Sequence, residues 1–166
     1  MLLLILITTF LCSYSLTLQH NSIKKLSSTN QLKKEFTVGV IGATGAVGNE
    51  IINCLHYTKF PVSELKLYSS KSTNKVINTP FGRQFSYKFD IDDAKKCDII
   101  FLAVSGDFSK QYAKQLSDDD TIVIDNSSAF RYDNDVPLVI PEINKKKLKG
   151  KKLIANPNCT TAIALM

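Results

Sequence analysis

The sequence predicts an α/β fold: a doubly wound sheet of parallel strands with helices on both faces. Three observations carry that expectation. Short apolar runs rich in β-branched residues recur along the body, as strands buried on both faces require. Between them lie stretches whose apolar residues repeat at helical spacing. The first run also ends directly in a glycine-rich turn that opens the first helix.

Taken in order, Phe36 to Ile41 is the first buried strand. Val47, Ile51, Ile52 and Leu55 place a helix over residues 46–58. Leu65 to Tyr68 reads as a second strand, and Phe85 to Phe89 alternates as a third. Asp98 to Val104 is a buried strand, followed by a helix from Phe108 to Leu116. Thr121 to Asp125 is another buried strand. A short helix from Glu142 to Leu148 and a last strand from Leu153 to Ala155 follow. Neither internal repeats nor low-complexity segments interrupt the body.

The 166 residues suffice for one domain with a core, at 44% hydrophobic and 22% charged. The net charge of +6 does not mark a nucleic-acid binder. Half of that excess comes from Lys24, Lys25, Lys33 and Lys34 set against Glu35 alone. The dense run from Lys145 to Lys152 lacks interleaved aromatics and reads as a solvated helix face and turn. Cys12, Cys54, Cys97 and Cys159 show no C-x-x-C spacing, and no histidines complete a metal set, so no metal is expected. Cys54 and Cys97 lie in apolar surroundings and read as buried core thiols.

Residues 1–35 read as a leader, outside the fold. Leu2 to Cys12 is an apolar run of signal-peptide length, too short for a comfortable membrane span, with Ser13 and Ser15 after it. Leu16 to Lys34 is rich in Ser, Thr, Asn and Lys and holds no acid, the composition of a transit peptide. The two together predict import into a plastid bounded by extra membranes. Secretion and a misplaced start site are the alternatives.

Gly42, Gly45 and Gly48 space a G-x-x-G-x-x-G turn between strand and helix. Glycine lets the backbone approach a diphosphate, and a helix N-terminus offers N–H groups to it. This predicts a Rossmann-like dinucleotide site built from Gly42, Ala43, Thr44, Gly45, Ala46 and Val47. After the second strand come Ser70, Lys71 and Ser72, with no carboxylate to hold a ribose 2′-hydroxyl. Lysine and hydroxyls suit a 2′-phosphate, so the expected cofactor is NADP rather than NAD. Ser105 and Gly106 close the fourth strand at the same sheet edge, where small residues leave it room.

Three further stretches are specific: Val123 to Arg131, Val136 to Asn144, and Asn156-Pro-Asn-Cys-Thr-Thr161. With the glycine turn, they make the chain from Phe36 to its last residue resemble the aspartate-semialdehyde dehydrogenases. The related N-acetylglutamyl-phosphate reductases typically carry His-Pro-Gly-Cys-Tyr around their cysteine, which Asn156-Pro-Asn-Cys159-Thr does not match. The resemblance implies NADPH-dependent reductive dephosphorylation of L-aspartyl 4-phosphate to the 4-semialdehyde and phosphate. That step leads to lysine, threonine, methionine and isoleucine. It implies Cys159 as the nucleophile that forms a thioester. Residues alone would equally allow a packed thiol there; a helix N-terminus is where a thiolate is favoured. It further implies Arg131 as the binder of the substrate's phosphate and Asn126 as a residue near nicotinamide and substrate. An Asx turn is the plainer reading of Asn126. Asn158 adjoins the nucleophile or simply caps its helix. His20 and His56 are not credible bases.

Members of that family run to roughly twice this length. Their second half supplies a histidine acid/base, a carboxylate-gripping arginine and most of the interface of a homodimer or homotetramer. The expected organisation is therefore a leader at 1–35, an NADP-binding domain at 36–158, and the start of a catalytic domain, otherwise missing, at 159–166. An apolar ending at Ala162 to Met166 favours truncation over a genuine non-catalytic NADP-binding fragment. Asn74 also replaces the glycine usual after the second strand.

Overall fold

The computed structural model describes residues 35–69, 75–117 and 120–165. Ser70, Lys71, Ser72 and Asn74 lie outside the described residues, as does the leader up to residue 34. The strands are β1 (Phe36–Ile41), β2 (Val62–Ser69), β3 (Lys75–Thr79), β4 (Gly82–Lys88), β5 (Ile99–Leu102), β6 (Ile122–Asp125) and β7 (Leu153–Ala155). The helices are α1 (Ala46–Tyr57), α2 (Ile91–Ala94), α3 (Gly106–Leu116), α4 (Pro141–Asn144) and α5 (Cys159–Leu165), with a 3₁₀ turn at Lys145–Leu148.

Among the described residues the strands form one seven-stranded sheet in the order β3-β4-β2-β1-β5-β6-β7. Every pairing is parallel except that of β3 with β4. The chain passes from β1 outward to β2 on one side and later to β5 on the other. That reversal makes the end of β1 the switch point of the sheet, the place where sheets of this kind receive ligands.

Alternation along the central strands explains both layers. Val38 and Val40 of β1, Phe101 of β5, Ile124 of β6 and Ile154 of β7 share one buried cluster with Ile51, Ile52 and Leu55 of α1 and with Val139 and Leu148. Their neighbours Ile41, Ile100, Leu102 and Val123 face the other way, against Ala113 and Leu116 of α3. Every residue of β5 and β6 is buried, the mark of a sheet covered on both faces. Burying a Leu or Ile side chain contributes about 1.5–3 kcal/mol, so these interior positions dominate stability.

The structure adds two elements to the sequence reading. β3 is an antiparallel edge strand joined to β4 by a tight turn. There Gly82 takes φ +94°, and Thr79 Oγ1 both accepts from Phe81 N (3.1 Å) and donates to Gly82 O (2.8 Å). α2 is a single turn capped by Asp90, whose carboxylate accepts from Asp93 N. The helix expected from Glu142 to Leu148 divides into α4 and the 3₁₀ turn.

Candidate nucleotide and thiol site

The glycine turn leaves the end of β1 under tight steric control. Gly42 takes φ +89°, and a Cβ there would sit 2.2 Å from the carbonyl oxygen of Ala103. A Cβ on Gly48 would sit 2.3 Å from Gly42 O and 2.8 Å from Ala43 Cα. Both positions therefore demand glycine, one for its dihedral and both for close backbone approach. Gly45 is different: an added Cβ would meet only Gly42 O, at 3.4 Å.

Within the turn, roles divide. The amides of Gly42 and Ala43 both donate to Tyr68 O, at 2.8 and 3.1 Å, tying the turn to β2. Ala43 is buried, so it supports the turn from beneath and offers no free amide. Thr44, Gly45, Ala46 and Val47 are exposed. Gly45 caps α1 without a side-chain hydrogen bond. The first-turn amides of α1 thus have no partner within the helix, the arrangement that receives an anion. The bare backbone fits a dinucleotide's diphosphate.

The end of β5 lies alongside. Ser105 caps α3, its Oγ accepting from Phe108 N at 3.5 Å. A Cβ on Gly106 would lie 3.8 Å from Ser128 Oγ, so this turn stands next to the segment that follows β6.

That segment begins with Asp125, fully buried at the end of β6. Its Oδ1 accepts from Ser109 Oγ of α3 (2.8 Å) and from Ser127 N (2.9 Å); its Oδ2 accepts from Ser127 Oγ (2.8 Å). These bonds fold the chain into a turn that leads to Arg131. Asn126 is half-buried; its main-chain N and its Nδ2 both donate to Leu102 O, at 3.1 and 3.3 Å. Arg131 donates from Nη2 to Asn126 O (2.9 Å) and from Nε to Asn156 O (3.0 Å). Two loops, after β6 and after β7, are thereby joined through one guanidinium.

Cys159 is exposed and opens α5. Asn158 caps that helix: its Oδ1 accepts from Thr160 N at 2.9 Å, and the Cys159 thiol lies 3.9 Å from the same oxygen. The other two described cysteines differ in kind. Cys54 and Cys97 are buried, and burial pushes both thiols up to about 11. Only Cys159 among the described cysteines is placed for chemistry with a substrate. His56 is exposed on α1, edge-on to the Phe81 ring.

Sequence reasoning named Cys159, Arg131, Asn126 and the glycine turn, and the fold brings these to the same end of the sheet. It assigned nothing to Asp125 or to the side chain of Asn156. The available signal was a polar residue closing each of two apolar strands, at Asp125 and Asn156. Among the described residues no group of three His, Cys, Asp or Glu could hold a metal ion.

Residues 37–151 match the semialdehyde dehydrogenase, NAD-binding domain family. Aspartate-semialdehyde dehydrogenase of Aquifex aeolicus is 41% identical over 131 residues, covering 76% of this chain and 38% of the relative. That of a Shewanella species is 42% identical over 136 residues, covering 78% and 40%. The crystal structure of aspartate semialdehyde dehydrogenase II of Vibrio cholerae, complexed with ASA, superposes with a TM-score of 0.71 at 35% identity. That match covers 80% of this chain and 44% of that one. The chain therefore spans about two fifths of the length of the curated relatives it matches.

Proposed function

We propose a function from one premise: the chain belongs to the semialdehyde dehydrogenase family, through its NAD-binding domain. On that premise it carries the cofactor turn and the nucleophile of an aspartate-semialdehyde dehydrogenase. The reaction is reductive dephosphorylation of L-aspartyl 4-phosphate to L-aspartate 4-semialdehyde, a step toward lysine, threonine, methionine and isoleucine. The observation that supports it most is the bond from Arg131 to the carbonyl of Asn156, three residues before the exposed thiol of Cys159.

The chemistry follows from those groups. The sulfur of Cys159 attacks the acyl carbon; the new C–S bond forms as the bond from carbon to the phosphate oxygen breaks. Phosphate leaves with the bonding pair, and a thioester remains on Cys159. Arg131, with N–H groups left over from its two carbonyl contacts, holds the phosphate by charge-assisted hydrogen bonds. Asn126 lines the site at the end of β6. NADPH, when bound, would supply the hydride that takes the place of the Cys159 sulfur on the thioester carbon, so that the aldehyde forms and the thiolate is released. The turn from Gly42 to Val47 would hold its diphosphate, Ser105 and Gly106 would border it, and Lys71 with Ser70 and Ser72 would receive the 2′-phosphate.

Alkylation of Cys159 tests this reading in the chain itself. Aspartate 4-semialdehyde with inorganic phosphate is expected to slow labelling by iodoacetamide, and Arg131→Ala to abolish the phosphate part of that protection. A labelling rate that neither compound changes refutes the reading. A chain that binds NADP but turns over nothing by itself is the second reading, supported by the glycine turn, whose exposed backbone needs no thiol to hold a diphosphate. Steady-state reduction by the isolated chain would exclude it.

A further inference from the structure

Three polar groups of Asn156 are engaged at the site. Its main-chain N–H donates to Asp125 O at 2.8 Å, continuing the β6–β7 ladder by one step. Its carbonyl receives Arg131 Nε, and its Nδ2 donates to Asn126 Oδ1 at 2.7 Å, the shorter of the two side-chain contacts made by Asn126. Arg131, Asn126 and Asn156 thus close a ring. Arg131 touches the main-chain oxygens of both asparagines, and the two carboxamides bind each other.

The donors in this ring are fixed by its neighbours. Leu102 O has only lone pairs to offer, so Asn126 turns its Nδ2 toward it and leaves Oδ1 on the opposite side. A carboxamide oxygen pointing at Asn156 needs a donor, and Asn156 Nδ2 is that donor. Without it, the side chains would tie the two loops only through the guanidinium, which has to be free enough to hold an anion, and the backbone bond from Asn156 N to Asp125 O would orient neither carboxamide.

We propose that Asn156 is a positioning residue: its side chain fixes the orientation of the Asn126 carboxamide and the spacing of the two carbonyls that aim Arg131. The role rests on the reading of Arg131 as a phosphate binder, but its geometry can be tested apart from it. In this role Asn156 acts through Arg131 and Asn126, the two residues proposed to meet the substrate.

The experiment is NMR of the 15N-labelled full chain, with the variants Asn156→Ala, Asn156→Asp and Asn126→Ala. Asn156→Ala keeps the backbone bond to Asp125, and amide protection along β6 and β7 reports that the fold is intact. In it the Asn126 carboxamide protons are expected to lose their distinct shifts, and Arg131 Nε–H to exchange about tenfold faster, the scale of one lost hydrogen bond. Asn156→Asp keeps the shape of the side chain but, ionised, donates nothing; it is expected to loosen both signals at least as much. Asn126→Ala removes the acceptor instead and is expected to free the Asn156 carboxamide. Inorganic phosphate is expected to shift Arg131 Nε–H in the wild-type chain and to bind about tenfold more weakly to Asn156→Asp. If Asn156→Asp and Asn156→Ala leave the Asn126 and Arg131 signals as in the wild type, the positioning role is overturned. If the variants loosen both signals while phosphate moves nothing in any chain, the positioning role stands and the phosphate reading of Arg131 fails.

Discussion

The buried carboxylate of Asp125 accepts the hydroxyl proton of Ser109 across 2.8 Å, linking the end of β6 to the face of α3. The same carboxylate takes the amide and the hydroxyl of Ser127, so one side chain sets the turn from which Asn126 and Arg131 project. Removing it strands donors inside the protein, where each costs about 1–3 kcal/mol if left unpaired. Asp125→Ala is expected to lower the unfolding free energy by about 2–4 kcal/mol, read from urea denaturation at constant slope. Asp125→Asn, which keeps one acceptor oxygen, is expected to lose less. Equal losses for the two would show that the acceptor pattern is irrelevant.

The glycines of the turn after β1 are not equivalent, and the difference is measurable. A methyl on Gly48 would meet backbone at 2.3 and 2.8 Å, and backbone cannot swing aside as a side chain can. Gly48→Ala is expected to cost about 1–3 kcal/mol by overpacking and to weaken NADPH binding with it. Gly45 has φ −85° and only one neighbour, at 3.4 Å, so Gly45→Ala should leave the melting temperature nearly unchanged. Thermal melts and fluorescence titration with NADPH check both. Similar melting temperatures for the two variants would contradict the steric argument.

What the sequence made legible, and what it did not, follows from range. β1, β5, β6 and β7 announce themselves because burial on both faces demands unbroken apolar runs, as in Ile99 to Leu102. β3 does not: Lys75 to Thr79 mixes Lys and Asn with Val76, and Val76 stays exposed on an edge strand that needs no apolar run. α2 is one turn long, too short for periodicity, and only the cap from Asp90 to Asp93 N defines it. At the site, the glycine turn and Cys159 are local patterns. The contacts that organise it join Ser109 to Asp125 across 16 positions and Asn126 to Asn156 across 30, and no local pattern encodes those.

Thiol labelling separates the three described cysteines by exposure. Cys54 is 0% and Cys97 2% exposed, and both thiols are held near 11, so neither should react in the folded chain at neutral pH. Cys159 should label first and alone among the three. Peptide mapping after brief iodoacetamide treatment reads this directly. Modification of Cys97 before unfolding would contradict the packing around β5.

Lys71 offers a test of cofactor choice that leaves the fold aside. If it receives the 2′-phosphate, Lys71→Ala should weaken NADP binding by about tenfold or more, the range of one charge-assisted hydrogen bond. NAD, which lacks that phosphate, should bind the two chains alike. Calorimetric titration of both cofactors against both chains checks it, and a parallel loss for NAD would remove Lys71 from the specificity argument.

Acid stability can be traced to the pair of Lys66 and Asp93. Lys66 Nζ lies 2.9 Å from Asp93 Oδ1, and Tyr68 donates its hydroxyl to Oδ2 at 2.7 Å. The hydrogen bonds from Lys66 and Tyr68 hold the Asp93 carboxyl below its usual range, while the bond to Asp93 holds Lys66 above its own. A depressed carboxyl contributes stability that is present above its unfolded pKa and lost as pH falls through the folded one. A raised ammonium contributes stability that is present below its unfolded pKa and lost as pH rises through the folded one. The bridge therefore acts across the neutral range and fades at both ends. Because the Asp93 side chain is 42% exposed, screening limits the effect to on the order of 1 kcal/mol or less. Asp93→Asn should narrow the gap to wild type as pH drops below about 4, where the wild-type carboxyl is itself protonated. The measurement is the urea midpoint of both chains from about pH 3 to about pH 8, the span from ordinary carboxylate titration to just past neutrality. A difference between the chains that is constant over that span would mean that the charge of Asp93 contributes nothing.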